Sequence, residues 1–218
     1  MTLNSNSYSE EYYERGLISG ISGYVNYSWM PELTIRMAHH ISNQLDFTRE
    51  DKILDFGCAK GFLVKALRIL DFQAYGADIS QYAIQNCDST VKDYCRLITD
   101  PELIFDNKIQ FDWILAKDVF EHISEEELNE TLLNLRKIGN NLFAAIPLSE
   151  NDICNKYIVP AYENDITHVI RKSMEWWALK FQSCGWKIKQ SSNSFTGCKE
   201  NWTKKFPTGN GFYILEKE

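Results

Sequence analysis

Two acids and two glycines carry the chemistry most legible in this chain. The run Ile53-Leu54-Asp55-Phe56-Gly57-Cys58-Ala59-Lys60-Gly61-Phe62-Leu63 is apolar up to Asp55, places its glycines four apart, and continues with apolar residues at helical spacing. It reads as a strand, a tight turn and a helix start, where free N–H groups let a nucleotide-like ligand approach the backbone. A second run, Ala74-Tyr75-Gly76-Ala77, ends in Asp78. A carboxylate about twenty residues beyond such a turn can hold the two hydroxyls of a ribose. Capping the helix that starts near Ser80 is the plainer use of Asp78, and the two uses are compatible. Two acid-tipped strands flanking a glycine turn narrow the ligand to an adenosine-containing cofactor. The G-x-G-x-x-G of a dinucleotide site is absent. The acid two residues before the first glycine suits a ligand with a positive charge or amino group and would repel a pyrophosphate.

At this point the sequence resembles the class I S-adenosylmethionine-dependent methyltransferases. Their first motif, Asp-x-Gly-x-Gly-x-Gly, corresponds to Asp55-Phe56-Gly57-Cys58-Ala59-Lys60-Gly61, with Ala59 in place of the middle glycine. Alanine is tolerated there at negative φ and strained at positive φ. A second matching stretch is Phe111-Asp112 followed by Asp118-Val119-Phe120-Glu121-His122-Ile123. The resemblance covers residues 50–147 well and 173–185 loosely. It implies S-adenosylmethionine as cofactor, held by Asp55, Gly57, Cys58, Ala59 and Gly61 at the first turn and by Asp78 and Ile79 at the second. It implies adenine contacts from Asp100, after the third strand, and from Ala116 and Lys117, largely through their backbone. Asp-Pro at 100–101 is also an ordinary turn. Cys58 also reads as a small packing residue. Asp118, Glu121 and His122 either face an acceptor pocket or fix the loop, and for His122 the structural role is the commoner one.

Residues 149–172 are too long and too polar for a plain connection. They read as a substrate lid, with His168 as the candidate catalytic base and Asp165 placed to orient it. A packing histidine is the equal alternative. At the other end, residues 1–48 form an aromatic cap after a mobile start over 1–9. Tyr12, Tyr24, Tyr27 and Trp29 can offer π faces to a sulfonium cation, or simply cover the sheet edge. Arg36 could pair with a cofactor carboxylate.

The elements that must position these residues alternate along the chain. Strand candidates are 52–55, 73–77, 92–98, 111–115, 141–146, 186–191 and 211–216. Helix candidates are 60–70, 80–87, 124–138 and 173–184, preceded by one from Pro31 with Leu33, Met37, Ala38, Ile41 and Leu45 on its inner face. Ser124 and Glu127 form a capping box. Met174, Trp177, Ala178 and Phe181 mark an inward face that stops at Gly185. Alternation predicts an α/β fold, a three-layer Rossmann-like sandwich. Its seven-stranded sheet is mostly parallel, with an antiparallel last strand reached through a hairpin at 194–209 that lacks a helix.

At 218 residues the chain suits a single domain with a full core. No run of about 18 apolar residues is present to cross a membrane, and no signal peptide opens the chain. The six cysteines form no C-x-x-C pair. Neither a metal site nor a disulfide framework is therefore indicated, and a reducing, cytoplasmic location follows. The net charge of −7 argues against a nucleic-acid partner held through phosphates. A local patch of Lys187, Lys189, Lys199, Lys204 and Lys205 with Trp186 and Trp202 would be the exception. The expectation is methyl transfer to a small-molecule acceptor, by O-methylation of a sugar-like hydroxyl. The rivals are a non-catalytic cofactor-binding domain, an RNA or protein methyltransferase, and an NAD-dependent oxidoreductase.

Overall fold

The computed structural model describes residues 5–100, 104–105 and 109–218. Its centre is one sheet of seven strands: β1 (Lys52–Phe56), β2 (Gln73–Asp78), β3 (Cys95–Leu97), β4 (Phe111–Lys117), β5 (Gly139–Pro147), β6 (Trp186–Ser192) and β7 (Asn210–Lys217). The spatial order is β3-β2-β1-β4-β5-β7-β6. Strand β7 runs antiparallel to both of its neighbours, β5 and β6, whereas the pairings of β1 with β2 and β4, of β2 with β3, and of β4 with β5 are parallel. Each parallel connection crosses one face of the sheet, so helices cover both sides.

The helices are α1 (Glu10–Glu14), α2 (Gly16–Ser19), α3 (Pro31–Gln44), α4 (Phe62–Ile69), α5 (Gln81–Gln85), α6 (Glu125–Ile138), α7 (Met174–Ser183) and α8 (Glu200–Lys205). The Ser124 hydroxyl caps α6 by accepting from the Glu127 N–H and donating to its carboxylate. Leu128, Leu132 and Leu135 then face the core, all fully buried. In α7, Trp177 and Phe181 are buried and Gly185 takes a φ of 76° just past the helix end.

Three expectations shift. The third strand shrinks to Cys95–Leu97, because residues 92–94 coil into a 3-10 turn. The inner face of α3 is Thr34, Ala38 and Ile41, leading to Leu45, and Leu33 points outward. The β6–β7 connection does hold a helix, α8. At the N-terminus, residues 1–4 lie outside the described residues. Ser5–Ser7 form a 3-10 turn, and the Tyr8 ring packs edge-on against Tyr12 at 5.1 Å.

Strand β1 is the point from which the order runs outward in both directions, β2 on one side and β4 on the other. Ligands in such sheets lie beyond the carboxyl ends of the strands at this switch point. Asp55, Asp78 and Lys117 all sit at those ends.

Candidate functional site

A cavity of about 230 Å³ lies over the ends of β1, β2 and β4. Its floor is the glycine turn. Gly57 has a φ of 81°, and a Cβ there would fall 2.4 Å from Val119 Cγ2. Gly61, at φ 76°, opens α4, and a Cβ there would fall 2.8 Å from Cys87 Sγ. Ala59 takes the left-handed region too, at φ 48°. That conformation costs an L-residue about 1–2 kcal/mol, so the missing motif glycine has a local energetic consequence.

What holds Ala59 there is Asp78. The Ala59 N–H donates to Asp78 Oδ2 over 2.7 Å, and the Ser80 N–H donates to Oδ1 over 2.7 Å. The cap of the following helix is Ser80, whose hydroxyl accepts from the Ala83 N–H, and Asp78 lines the cavity. Burial raises its carboxyl pKa against the pull of these N–H groups. Asp55 is buried beside it. Desolvation pushes its pKa up to about 7, with Lys117 opposing and Asp78 reinforcing.

The roof is aromatic. Tyr8, Tyr12, Tyr13, Tyr24 and Tyr27 line the cavity. Lys60 ties this cap to the glycine turn through Glu14 at 2.5 Å and the Tyr27 carbonyl at 2.9 Å. The Ser80 hydroxyl donates to the Tyr8 carbonyl at 2.6 Å. Tyr12 donates its hydroxyl to Asp165 Oδ2 at 2.7 Å, so the cap and the 149–172 segment close on one another.

The third wall is the end of β4. Asp118 adopts a φ of 56°, and its N–H bonds the Ala145 carbonyl at 2.9 Å. Its carboxylate pairs with Lys117 at 2.5 Å and with Lys199. Burial would raise that carboxyl, but the two ammonium groups outweigh it and hold it well below the usual range. Lys199 also donates to the Tyr162 hydroxyl and to Asn210 Oδ1.

Beside this wall two histidines meet, ring centroids 4.5 Å apart. His122 lines the cavity, and His168 stands behind it, buried. The Thr167 hydroxyl donates to Asp165 Oδ1 at 2.5 Å, so the 2.8 Å bond between His122 Nδ1 and Thr167 Oγ1 has the ring as donor. His168 Nδ1 faces the Tyr162 carbonyl at 2.9 Å and is likewise a donor. Both rings therefore keep a lone pair on Nε2. Burial, then the neighbouring imidazole, lowers His122 to about 4. His168 is lowered chiefly by burial. Glu121 is fully buried, and desolvation followed by repulsion from Asp118 raises it to about 8.

Residues 54–140 match a family model described as "Methyltransferase domain". Residues 54–140 therefore carry a methyltransferase domain. No curated protein matches the sequence. Solved structures share the fold at low identity. A chain of the complex between the Haloferax volcanii Trm112 methyltransferase activator and the putative methyltransferase is 17% identical with a TM-score of 0.65, covering 86% of this chain and 92% of that one. A TehB-like SAM-dependent methyltransferase from Corynebacterium glutamicum is 14% identical with a TM-score of 0.58, over 84% and 88% of the two chains. The [4+2]-cyclase SpnF is 13% identical with a TM-score of 0.61, over 91% and 86%. A methyltransferase domain implies S-adenosylmethionine as cofactor.

In the methyltransferase, the expected cofactor residues divide by placement. Gly57, Ala59, Asp78, Ile79 and Lys117 line the cavity. Cys58 and Ala116 are buried in the core, and Gly61 sits below at the head of α4. Asp100 is exposed, past Ile98, and Ile98 and Ile104 make the cavity wall there; Pro101 lies outside the described residues. Trp29 packs on Phe62 away from the cavity, and Arg36 pairs with Glu200 at 2.7 Å. The basic aromatic patch does not assemble. Lys199 is buried against Asp118, Lys187 and Lys189 pair with Glu216, and Trp186 is a core residue bonded to the Leu132 carbonyl. No local sequence signal marks Lys199 or Thr167 as a site residue. Only long-range packing brings either to the cavity edge.

Proposed function

We propose that this methyltransferase moves the methyl group of S-adenosylmethionine to a hydroxyl of a small-molecule acceptor, a sugar or similar polyol-like metabolite. One observation carries the reading: His122 stands on the cavity wall with Nδ1 held by the Thr167–Asp165 pair and with a free lone pair on Nε2. The neutral ring is the form that accepts a proton, and the carboxylate behind Thr167 favours the cation that results. His168 backs this ring and acts through it.

In this reading Asp78 receives the ribose hydroxyls. The tyrosine roof offers π faces to the sulfonium. The acceptor oxygen forms a bond to the methyl carbon as the carbon–sulfur bond breaks. Sulfur keeps that electron pair, giving S-adenosylhomocysteine, and the hydroxyl proton passes to the histidine pair. The sulfonium is already activated, so alignment is the protein's main task. A cavity roofed by tyrosines and an acidic chain favour a small acceptor over a polymer. The segment 149–172 serves as the lid. Six free thiols fit a reducing, cytoplasmic setting. Among the described residues no helix is long and apolar enough to cross a membrane.

An RNA or protein acceptor is the second reading, since one similar structure comes from a complex with a methyltransferase activator. The same fold also serves a cyclase, so binding of the cofactor is not a sufficient test. The test is formation of labelled product from methyl-labelled S-adenosylmethionine with hydroxylated metabolites, RNA and protein extracts in parallel. Label in a small-molecule ether, much reduced by His122→Ala, is the expected result. Label confined to RNA or protein would replace the acceptor class.

A further inference from the structure

We propose that Glu121, His122 and His168 form a binding site for a divalent transition-metal ion. One nitrogen of each ring and a Glu121 carboxylate oxygen lie within 4.8 Å of one another. Both Nδ1 atoms are committed as donors, to Thr167 Oγ1 and the Tyr162 carbonyl, which leaves each Nε2 as the ligand atom. Hydrogen bonds of this kind fix the ring orientation of metal-binding histidines.

The second, independent observation is Glu121 itself. Its side chain is fully buried, and among the described residues neither carboxylate oxygen has a hydrogen-bond partner. A buried carboxyl without a partner is costly, and an ion would supply the partner it lacks. A metal about 2.0–2.2 Å from each donor in tetrahedral geometry sets donor separations near 3.3–3.6 Å, so side-chain rotations that close the present spread complete the site.

The donor chemistry selects the ion. Two imidazoles and one carboxylate suit zinc or iron(II), whereas magnesium and calcium prefer oxygen alone. Three protein ligands leave at least one position open. The ion would also join the end of β4 to the 149–172 segment, whose Val169 and Ile170 N–H groups already bond the Glu121 carbonyl. Use of the open position by the acceptor rests on the hydroxyl reading above: a coordinated hydroxyl loses its proton more readily, the proton leaving to solvent water, and the imidazoles then act as ligands in place of a base. Binding of the ion does not rest on that reading.

The test is titration of chelator-treated protein with Co²⁺ alone, followed by visible absorption. We expect a saturable, stoichiometric ligand-field band that Zn²⁺ displaces. Glu121→Gln and His168→Ala should abolish it, and Thr167→Val should weaken cobalt binding about 10- to 100-fold. Each variant's thermal shift with S-adenosylmethionine checks its folding. Should the ligand variants fail to fold, X-ray absorption of the wild-type cobalt form decides: imidazole scattering supports the site, and its absence ends it. No saturable band, or one unchanged in both folded ligand variants, overturns the proposal. Cobalt binding without methyl transfer to any hydroxyl keeps the ion and removes the acceptor reading. Transfer by protein that shows no band does the reverse.

Discussion

The Ala59 N–H donates to Asp78 Oδ2 across 2.7 Å, joining the turn after β1 to the end of β2. This bond orients the carboxylate that we propose faces the ribose, and it braces the glycine turn. In Asp78→Asn the amide must present an N–H₂ group to either the Ala59 or the Ser80 N–H. Hydrogen bonds to a charged group contribute about 1.5–3 kcal/mol. S-adenosylmethionine affinity should accordingly fall by roughly one to two orders of magnitude in calorimetric titration. An unchanged Kd would remove Asp78 from the cofactor site.

Ala59→Gly restores the motif glycine at a φ of 48°. Relief of left-handed strain, about 1–2 kcal/mol, exceeds the added entropy of the unfolded chain, about 0.5–1 kcal/mol. A net gain of about 0.5–1 kcal/mol should raise Tm by about 1–4 °C. Cofactor affinity should hold, because the N–H that reaches Asp78 is retained. A lower Tm would contradict the strain assignment.

Asp55 makes stability depend on pH in an unusual direction. Its folded-state pKa is raised to about 7, above the unfolded value near 3.9. Between those values the native state binds more protons than the unfolded state, so stability falls as pH rises from about 4 to 7. The contribution is at most about 4 kcal/mol. In chemical denaturation of the cofactor-free protein, Asp55→Asn should flatten this slope. An equal slope in both proteins would show that Asp55 ionises normally.

Lys199 reaches Asp118 from the far end of the chain, and Lys117 holds the other side of the same carboxylate. Lys199→Met leaves a buried charge with one partner fewer and should cost about 3 kcal/mol. Asp118→Asn in that background should recover part of the loss. Additive effects in this double-mutant cycle would mean the two residues are not coupled.

Thermal shift separates the cofactors. At 100 times its Kd a ligand adds about 2.7 kcal/mol, or about 5–10 °C for a chain of this length. S-adenosylmethionine and S-adenosylhomocysteine should give this rise and NAD should not.

The local features of the site were legible because each is written within a few residues. An apolar run, an acid and a glycine pair specify a strand, a turn and a helix start through backbone sterics alone. Alternating strand and helix patterns then require a parallel sheet with both faces covered. The capping box at Ser124 and the stop at Gly185 belong to the same class of signal, and both stand in the structure.

Other features depend on contacts between distant segments. No spacing rule links Lys199 to Asp118, or His168 to Glu121 and His122; only the packing of the 149–172 segment and of α8 against the end of β4 unites them. Nor can a pattern of residue types state the sign of φ at Ala59, which its bond to Asp78 sets. The altered ionisation of Asp55, Glu121 and His122 follows from burial, a property of the assembled core. The sequence by itself determined the fold class and the methyltransferase-like strand, glycine turn and helix. Tertiary structure alone decided which charges meet, which histidine lines the cavity, and where a buried carboxylate lacks a partner, because these depend on desolvation and on distances that chain order does not encode.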